Sequence, residues 1–265
     1  MKKVLTIAGS DCSGGAGIQA DIKTITSHKM YAMSVITALT AQNTTGVYGV
    51  MDVPKEFVGN EIHCIMKDVF PEAVKIGMVS SKEIIEEVVE RLKEYNVKNI
   101  VVDPVMISTS GSRLLSEDAM EALIIKLLPI ADVITPNIPE AECLCGFEIL
   151  NKEDMIKSAR KISESYQGKI LIKGGHLKDA ADDLLYENEN ITWYESERVD
   201  NPNTHGTGCT LSSAIACNLA AGYDAKESIK KAKEYITGAL RANLNLGGGS
   251  GPLNHCWNLS HVYRL

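Results

Sequence analysis

Short apolar runs alternate along this chain with longer stretches in which apolar residues recur every three or four positions. Residues 4–8 form a short, mostly apolar run that stops at Gly9-Ser10-Asp11; Gly14-Gly15-Ala16-Gly17 follows, and Ile18, Ala20 and Ile22 then open a helical pattern. The order reads strand, glycine loop, helix. A further strand is predicted over 34–39. The unit returns as a strand over 74–78, a charged amphipathic helix over 83–95 and a strand over 100–102 that ends at Asp103-Pro104. It returns again as a helix over 114–128, a strand over 133–135, a helix over 152–165 and a strand over 170–173 closed by Gly174-Gly175. Such alternation builds βαβ units, so the pattern predicts an α/β fold: a mainly parallel, doubly wound sheet flanked by helices. Residues 183–187 and 191–196 flank Asn188-Glu189-Asn190 and read instead as a small antiparallel hairpin. Helices over 209–220 and 226–243 and a glycine-rich tail over 247–252 complete the chain. Neither linker composition nor an internal repeat interrupts it, which predicts a single domain over 1–265.

Composition sharpens this. With 265 residues, 45% of them hydrophobic, the chain fills one large α/β core and falls short of two. A formal charge of -7 and the lack of a dense basic run argue against nucleic acid or an acidic membrane surface as partner. Seven scattered cysteines without a secretory leader fit reduced thiols and a cytoplasmic location. Asp11 comes too soon for a signal-peptide core, and no apolar run is long enough to span a membrane. Cys143 and Cys145 have no second cysteine pair at zinc-ribbon spacing and are expected as buried packing residues.

The segment Asn203-Thr204-His205-Gly206-Thr207-Gly208-Cys209-Thr210 carries the strongest chemical signal. Two glycines, flanking hydroxyls and a thiol open an apolar helix expected to begin near Cys209. The N–H groups of Gly206, Thr207 and Gly208 can approach an oxyanion, and the positive end of the helix favours negative charge there. Phosphate is the natural guest, with Cys209 as a nucleophile beside it. The alternative is a tight turn in which Thr207 or Thr210 caps the helix and Cys209 fills space.

In open α/β sheets ligands bind beyond the carboxyl ends of the strands. There the sequence sets Asp103-Pro104, Thr135-Pro136-Asn137, Lys173-Gly174-Gly175, the loop over 9–15 and the glycine-cysteine motif. Phosphoryl transfer needs a nucleophile, a metal and donors aimed at the moving group. Asp103 and Glu140 are suited to magnesium, held directly or through water. Each also has a structural reading: Asp103 as a turn residue before Pro104, Glu140 as an acid in the first turn of a short helix entered at Asn137. Lys173 closes the run I-L-I-K, where an anionic nucleotide phosphate would balance it unless its head snorkels to solvent. No Walker A sequence occurs, which disfavours a P-loop kinase, and Gly247, Gly249 and Gly251 precede no helix that a dinucleotide fingerprint would need. Gln42 and Asn43 follow a strand; their amides offer a donor and an acceptor to a heterocycle edge, or are surface polarity.

Several long motifs then occur in order: T-I-A-G-S-D-C-S-G-G-A-G-I-Q-A-D from Thr6, S-V-I-T-A-L-T-A-Q-N-T from Ser34, K-I-G-M from Lys75, D-P-V-M from Asp103, T-P-N-I-P-E-A from Thr135, K-G-G-H from Lys173 and N-T-H-G-T-G-C-T from Asn203. Nearly end to end, the chain resembles the hydroxymethylpyrimidine/phosphomethylpyrimidine kinases of the ribokinase-like superfamily. The resemblance implies phosphorylation of 4-amino-5-hydroxymethyl-2-methylpyrimidine by ATP with Mg2+, then phosphorylation of the product to the diphosphate used in thiamine synthesis, by a homodimer. It places Cys209 where related sugar kinases have an aspartate base, and a helix N-terminus is expected to lower its thiol pKa. It implies an anion hole at Gly206, Thr207 and Gly208, and magnesium held by Asp103 and Glu140 with Asn137. It maps a pyrimidine pocket onto Gly9, Ala16, Asp21, Gln42, Met78 and Val105, and ATP contacts onto Lys173, Asn137, Thr204 and Lys233. Thr109 stands where many relatives have a lysine, and Ser108 where relatives acting on pyridoxal have a cysteine, which weakens a pyridoxal kinase assignment. The rival readings are a pyridoxine or pyridoxal kinase on the same scaffold and a catalytically silent binding protein.

Overall fold

A computed structural model describes residues 1–106, 115–175, 182–195 and 199–259. Ile107, Ser108, Thr109, His176 and Ser196 therefore lie outside the described residues, and with them the two family departures noted above. The described strands are β1 (Lys3–Asp11), β2 (Tyr31–Asn43), β3 (Gly46–Asp52), β4 (Ala73–Ile76), β5 (Ile100–Val102), β6 (Val133–Ile134), β7 (Lys169–Ile172), β8 (Asp183–Glu187) and β9 (Asn190–Tyr194). The helices are α1 (Gly17–Ser27), α2 (Lys55–Asp68), α3 (Lys82–Glu94), α4 (Glu117–Ala122), α5 (Ile138–Cys145), α6 (Lys152–Ser163), α7 (Thr207–Ala221) and α8 (Ala225–Arg241).

The strands form one sheet in the order β3-β2-β1-β4-β5-β6-β7-β8-β9. Pairing is parallel from β2 to β7 and antiparallel at both margins, β3 on β2 and the β8–β9 hairpin on β7. The hairpin lies where the sequence placed it. The opposite margin is new: β2 runs on through Gln42 and Asn43 and turns back as β3, whose mixed V-Y-G-V-M pattern and largely exposed side chains carry no clean alternation. Helix α2 was also missed, because its apolar positions Val58, Ile62 and Met66 are diluted by exposed polar and aromatic residues. The helix predicted over 114–128 is α4 followed by a π-helical turn over Leu123–Leu127 and a tight 3-10 turn over Leu128–Ile130, which contains Pro129.

Period two in the central strands divides the core. Leu5, Ile7, Ile76, Val102 and Ile134 pack with α2, α3 and α6 on one face, whereas Val4, Ala73, Val101 and Val133 pack with α1, α7 and α8 on the other. Helix α7 is the most enclosed, buried almost all round from Thr210 to Asn218, as its small and apolar residues require. Cys145 is buried as expected, but Cys143 is exposed; two residues apart on a helix point to opposite sides.

One ion pair lies wholly inside. Lys75 Nζ stands 2.8 Å from Asp21 Oδ2, both side chains fully buried. Asp21 also accepts from Thr6 Oγ1 at 2.6 Å and Ser213 Oγ at 2.8 Å, so β4, α1, β1 and α7 meet at one carboxylate. Burial opposes the lysine's charge, yet the Asp21 carboxylate holds its pKa above the usual range. Lys75→Met is expected to cost about 3–5 kcal/mol of stability because it strands a buried carboxylate, and the double variant Lys75→Met/Asp21→Asn to cost less. Urea unfolding of the three proteins checks this.

Candidate active site

Strand order reverses at β1: from it the chain steps to β2 on one side and, through β4, to β5, β6 and β7 on the other. A crevice opens at the carboxyl ends of strands flanking such a reversal. At the end of β1 the Met78 methyl, just past β4, lies against Gly9, and Thr37 Oγ1 of β2 donates to the Met78 carbonyl at 2.8 Å. Asp11 organises the loop that follows. It accepts from Ser13 N (2.9 Å), Ser13 Oγ (2.7 Å), Ala16 N (2.8 Å) and His205 Nε2 (2.8 Å). Burial alone would raise its pKa, but these bonds, His205 foremost, hold the carboxylate well below the usual range. Ala16 then leads into α1.

The ends of β5, β6 and β7 bring a second group together. Lys173 Nζ lies 2.7 Å from Asp103 Oδ1, to which Thr135 Oγ1 also donates at 3.0 Å. Lys173 does not snorkel; its side chain is 15% exposed and its head is committed to the carboxylate. Asn137 caps α5 by accepting from Glu140 N at 2.9 Å, while its own N–H donates to Glu140 Oε2 at 2.8 Å, a reciprocal capping box. The structural role foreseen for Glu140 is thus present. Glu140 is 3% exposed, and burial pushes its carboxyl up to about 7, with Lys173 pulling down and Asp103 pushing further up. Asp103 also serves its turn, its carbonyl accepting from Val105 N at 2.8 Å.

Helix α7 starts at Thr207, earlier than expected, and Gly206 precedes it with a φ of 85° and no side-chain cap. Thr207 and Thr210 are not caps: Thr207 Oγ1 donates to the Thr204 carbonyl at 2.7 Å, and Thr210 Oγ1 meets His255 Nε2 at 3.0 Å. Gly206 is pressed on the Gly15 carbonyl, where a Cβ would collide, so the loop before α7 and the loop after β1 are in direct contact. At Gly208 a Cβ would stand 2.9 Å from Asp103 Oδ2 and 3.4 Å from Lys173 Nζ. The first turn of α7, whose N–H groups lack intrahelical acceptors, therefore faces the Asp103–Lys173 pair. The Thr207 N–H turns to the Thr204 carbonyl at 3.2 Å, which concentrates the open donors on Gly208 and Cys209.

Cys209 corrects an expectation. Its thiol is not lowered; burial pushes it up to about 11, Asp21 and Asp103 add to the rise, and Lys75 and the Gly17 N–H only partly offset it. The partial charge of one helix end is outweighed by desolvation.

The remaining predicted residues differ in how they meet this site. Gln42 reaches His205, 3.2 Å away, across the mouth of the β1 loop. Asp21 lies beneath the site, its oxygens already serving Thr6, Lys75 and Ser213. Val105 is half-buried next to Asp103. Lys233 of α8 is bound to Asp183 Oδ2 at 2.7 Å, and Asp183 Oδ1 accepts from Gly174 N at 2.9 Å, so Lys233 joins the β7 end through an intermediary. It also lines a groove of about 1100 Å³ along α8, walled by Trp193, Tyr194, Arg241 and Trp257, whose lining includes neither Cys209 nor Asp103. Thr204 is exposed, with Ser250 Oγ 3.3 Å from its hydroxyl. Sequence reasoning gave no task to Lys75, Asp11, His205 or Asp183. A signal existed for Lys75, a charge between Val74 and Ile76 inside an apolar strand.

The donor set suits a hard cation held in part by a nucleotide. Asp103 and Glu140 are two carboxylates close enough to influence each other, and among the described residues no three acidic, histidine or cysteine side chains gather as a self-sufficient metal cage. Magnesium typically uses one or two carboxylates, water and substrate phosphates.

Residues 11–254 match the family model described as phosphomethylpyrimidine kinase. The chain is 45% identical over 256 residues to a hydroxymethylpyrimidine/phosphomethylpyrimidine kinase of Streptomyces coelicolor, covering 97% of this chain and 95% of that one. Among solved structures it is similar to a phosphomethylpyrimidine kinase of Clostridium difficile, with 51% identity, a TM-score of 0.82 and coverage of 89% and 98%. It is also similar to an ADP complex of a Bacillus subtilis pyridoxal kinase, with 39% identity, a TM-score of 0.89 and coverage of 96% and 97%.

Gly206→Ala is expected to destabilise the protein by about 1–3 kcal/mol, since alanine resists a φ of 85° and its methyl meets the Gly15 carbonyl. Binding of a nucleoside triphosphate should weaken in parallel, because the loop carrying the open amides must shift. Denaturant titration and calorimetric titration with ATP read the two effects.

Proposed function

The chain belongs to the phosphomethylpyrimidine kinase family, and we propose that it moves the γ-phosphate of ATP first to the hydroxymethyl oxygen of 4-amino-5-hydroxymethyl-2-methylpyrimidine and then to the resulting monophosphate, yielding the diphosphate used in thiamine synthesis. The observation that carries this reading is the packing of the α7 first turn on Asp103 and Lys173, with Glu140 buried beside them. Open amides, a cation and two carboxylates at one strand-end crevice are what phosphoryl transfer requires.

In this reading Gly206 and Thr207 shape the turn, the Gly208 and Cys209 amides cradle the transferring phosphoryl group, and Lys173 turns from Asp103 towards nucleotide phosphate. Asn137, Thr204 and Lys233 lie on the nucleotide side. Asp103 and Glu140 would hold Mg2+, which supplies charge neutralisation of phosphate oxygens when bound. Gly9, Ala16, Gln42, Met78 and Val105 wall the pyrimidine pocket, with Asp21 supporting it from below. Cys209 accepts the hydroxymethyl proton in the first transfer; the second acceptor is an ionised phosphate monoester and needs no such base. The kinase works in the cytoplasm. It pairs as a homodimer through the β3 margin, where Val47, Tyr48, Val50 and Met51 are exposed beside Leu39.

The similarity to pyridoxal kinases keeps one second reading open, phosphorylation of pyridoxal on the same scaffold. Mass analysis after incubation with MgATP and the aminopyrimidine should show the monophosphate and then the diphosphate; a strong preference for pyridoxal would select the second reading. A base with a thiol pKa near 11 is protonated at neutral pH, so the rate of the first transfer should climb roughly tenfold per pH unit between about pH 6 and 9. The second transfer should be nearly flat once its acceptor is ionised. Cys209→Ala should slow the first transfer by about 100-fold or more and remove its slope, while the second retains most of its rate. Equal loss of both steps with binding intact would refute the proposed division. Val50→Lys together with Tyr48→Arg should yield monomers by sedimentation velocity while the unaltered chain sediments as a dimer.

A further inference from the structure

His205 lies between the two loops of the site, yet phosphoryl transfer gives it no task. Its side chain is 11% exposed, its ring packs against Gly15, and its Nε2 is shared by two neighbours. Asp11 Oδ2 lies 2.8 Å from that nitrogen and the Gln42 carboxamide 3.2 Å from it. Asp11, held below the usual carboxylate range, is ionised at neutral pH and can only accept. Nε2 therefore carries a proton, whatever the state of Nδ1.

The same reasoning fixes the partner of Gln42 on its other side. Thr40 Oγ1 has a single proton and two acceptors in reach, the Ser10 carbonyl at 2.9 Å and the Gln42 carboxamide at 3.2 Å. A carbonyl has nothing to donate, so the shorter contact takes the proton and leaves Oγ1 as an acceptor for Gln42. Both constraints require the same sense: the carboxamide oxygen towards His205 and the nitrogen towards Thr40. The opposite sense, with the amide nitrogen at His205, sets donor against donor; turning the amide over about its last bond removes that clash, its nitrogen donating to Thr40 Oγ1 and its oxygen facing, as the longer arm of a three-centre contact, an N–H given first to Asp11. The ring closes through Ser10 and Asp11, since Ser10 Oγ accepts from Gln19 Nε2 at 2.8 Å and Gln19 Oε1 accepts from Asp11 N at 2.9 Å.

We propose that His205 is a positioning residue that locks the sense of the Gln42 carboxamide and thereby sets the preference for an aminopyrimidine over a pyridine alcohol. The proposal rests on the kinase reading above, in which Gln42 faces the heterocycle. With its nitrogen bound to Thr40 and its oxygen held towards the His205 N–H, Gln42 keeps one N–H and acceptor capacity on its oxygen for a ligand, in a fixed order. An aminopyrimidine offers a ring nitrogen acceptor beside an amino donor and pairs with that order in one sense only. A pyridine alcohol has no amino group beside its ring nitrogen and cannot make the pair. Without the His205 N–H the amide is free to turn over, and half of its orientations oppose like groups to the substrate.

The test uses His205→Phe, which keeps a ring without the N–H, and His205→Gln, whose amide N–H reaches a similar point. In His205→Phe the KM for the aminopyrimidine should rise roughly 10- to 100-fold with kcat changed less than about threefold, and selectivity over pyridoxal should fall by the same factor. His205→Gln should restore most of both. An unchanged KM and selectivity in folded His205→Phe, or a loss confined to kcat, would overturn the proposal. If the variants do not fold, the unaltered protein decides by NMR: the Gln42 side-chain amide protons should show contacts with the Thr40 methyl, and contacts with the His205 ring instead would overturn it. An unaltered enzyme that phosphorylates no aminopyrimidine refutes the kinase reading separately, while the NMR contacts still decide the amide's sense.

Discussion

The Lys75–Asp21 pair is the constraint on which the site is built. Two charges withdrawn from water are tolerated only when geometry and further hydrogen bonds compensate, and here Thr6 and Ser213 complete the set. Those four residues come from β4, α1, β1 and α7, so the pair fixes the helix whose first turn faces the Asp103–Lys173 pair. Ser213 lies one helical turn beyond Cys209. Any slide of α7 along the sheet would break a buried hydrogen bond before it displaced the glycines.

Above that anchor, charge is left unbalanced. Lys173 faces two carboxylates, Asp103 and Glu140, and buried Glu140 answers by holding its proton up to about pH 7. A divalent cation entering with a nucleotide would remove that imbalance, since its charge favours the ionised carboxyl and the phosphates supply the ligands the protein lacks. On the other side of the crevice Asp11 is the reverse case, fully supplied with donors and ionised. The site thus has one settled end, where an organic ring would be read, and one unsettled end, where phosphate and metal would arrive.

Cys209 shows how a local motif misleads. A helix start argues for a lowered thiol pKa, and the sequence motif supports that argument. Yet α7 is buried nearly all round, and Asp21 and Asp103 approach the thiol from elements more than a hundred residues away in sequence. Helix-terminus partial charges act over one turn and are easily outweighed by desolvation and nearby full charges. The thiol's reactivity is therefore decided by packing partners that the motif does not contain.

The sequence by itself determined the alternation of strands and helices, the antiparallel β8–β9 hairpin, the strand ends bearing Asp103, Asn137 and Lys173, and the helix start near Cys209, because these follow from periodicity and from turn residues that act locally. It left β3 and α2 unread, since an exposed margin strand and a weakly amphipathic helix leave little periodic trace. Only the tertiary structure decided which polar groups share a partner: Lys75 with Asp21, Lys233 with Asp183, and His205 with Asp11 and Gln42. The physical reason is that pKa, hydrogen-bond sense and burial depend on neighbours that chain folding brings from far apart, and no spacing rule along the chain encodes them.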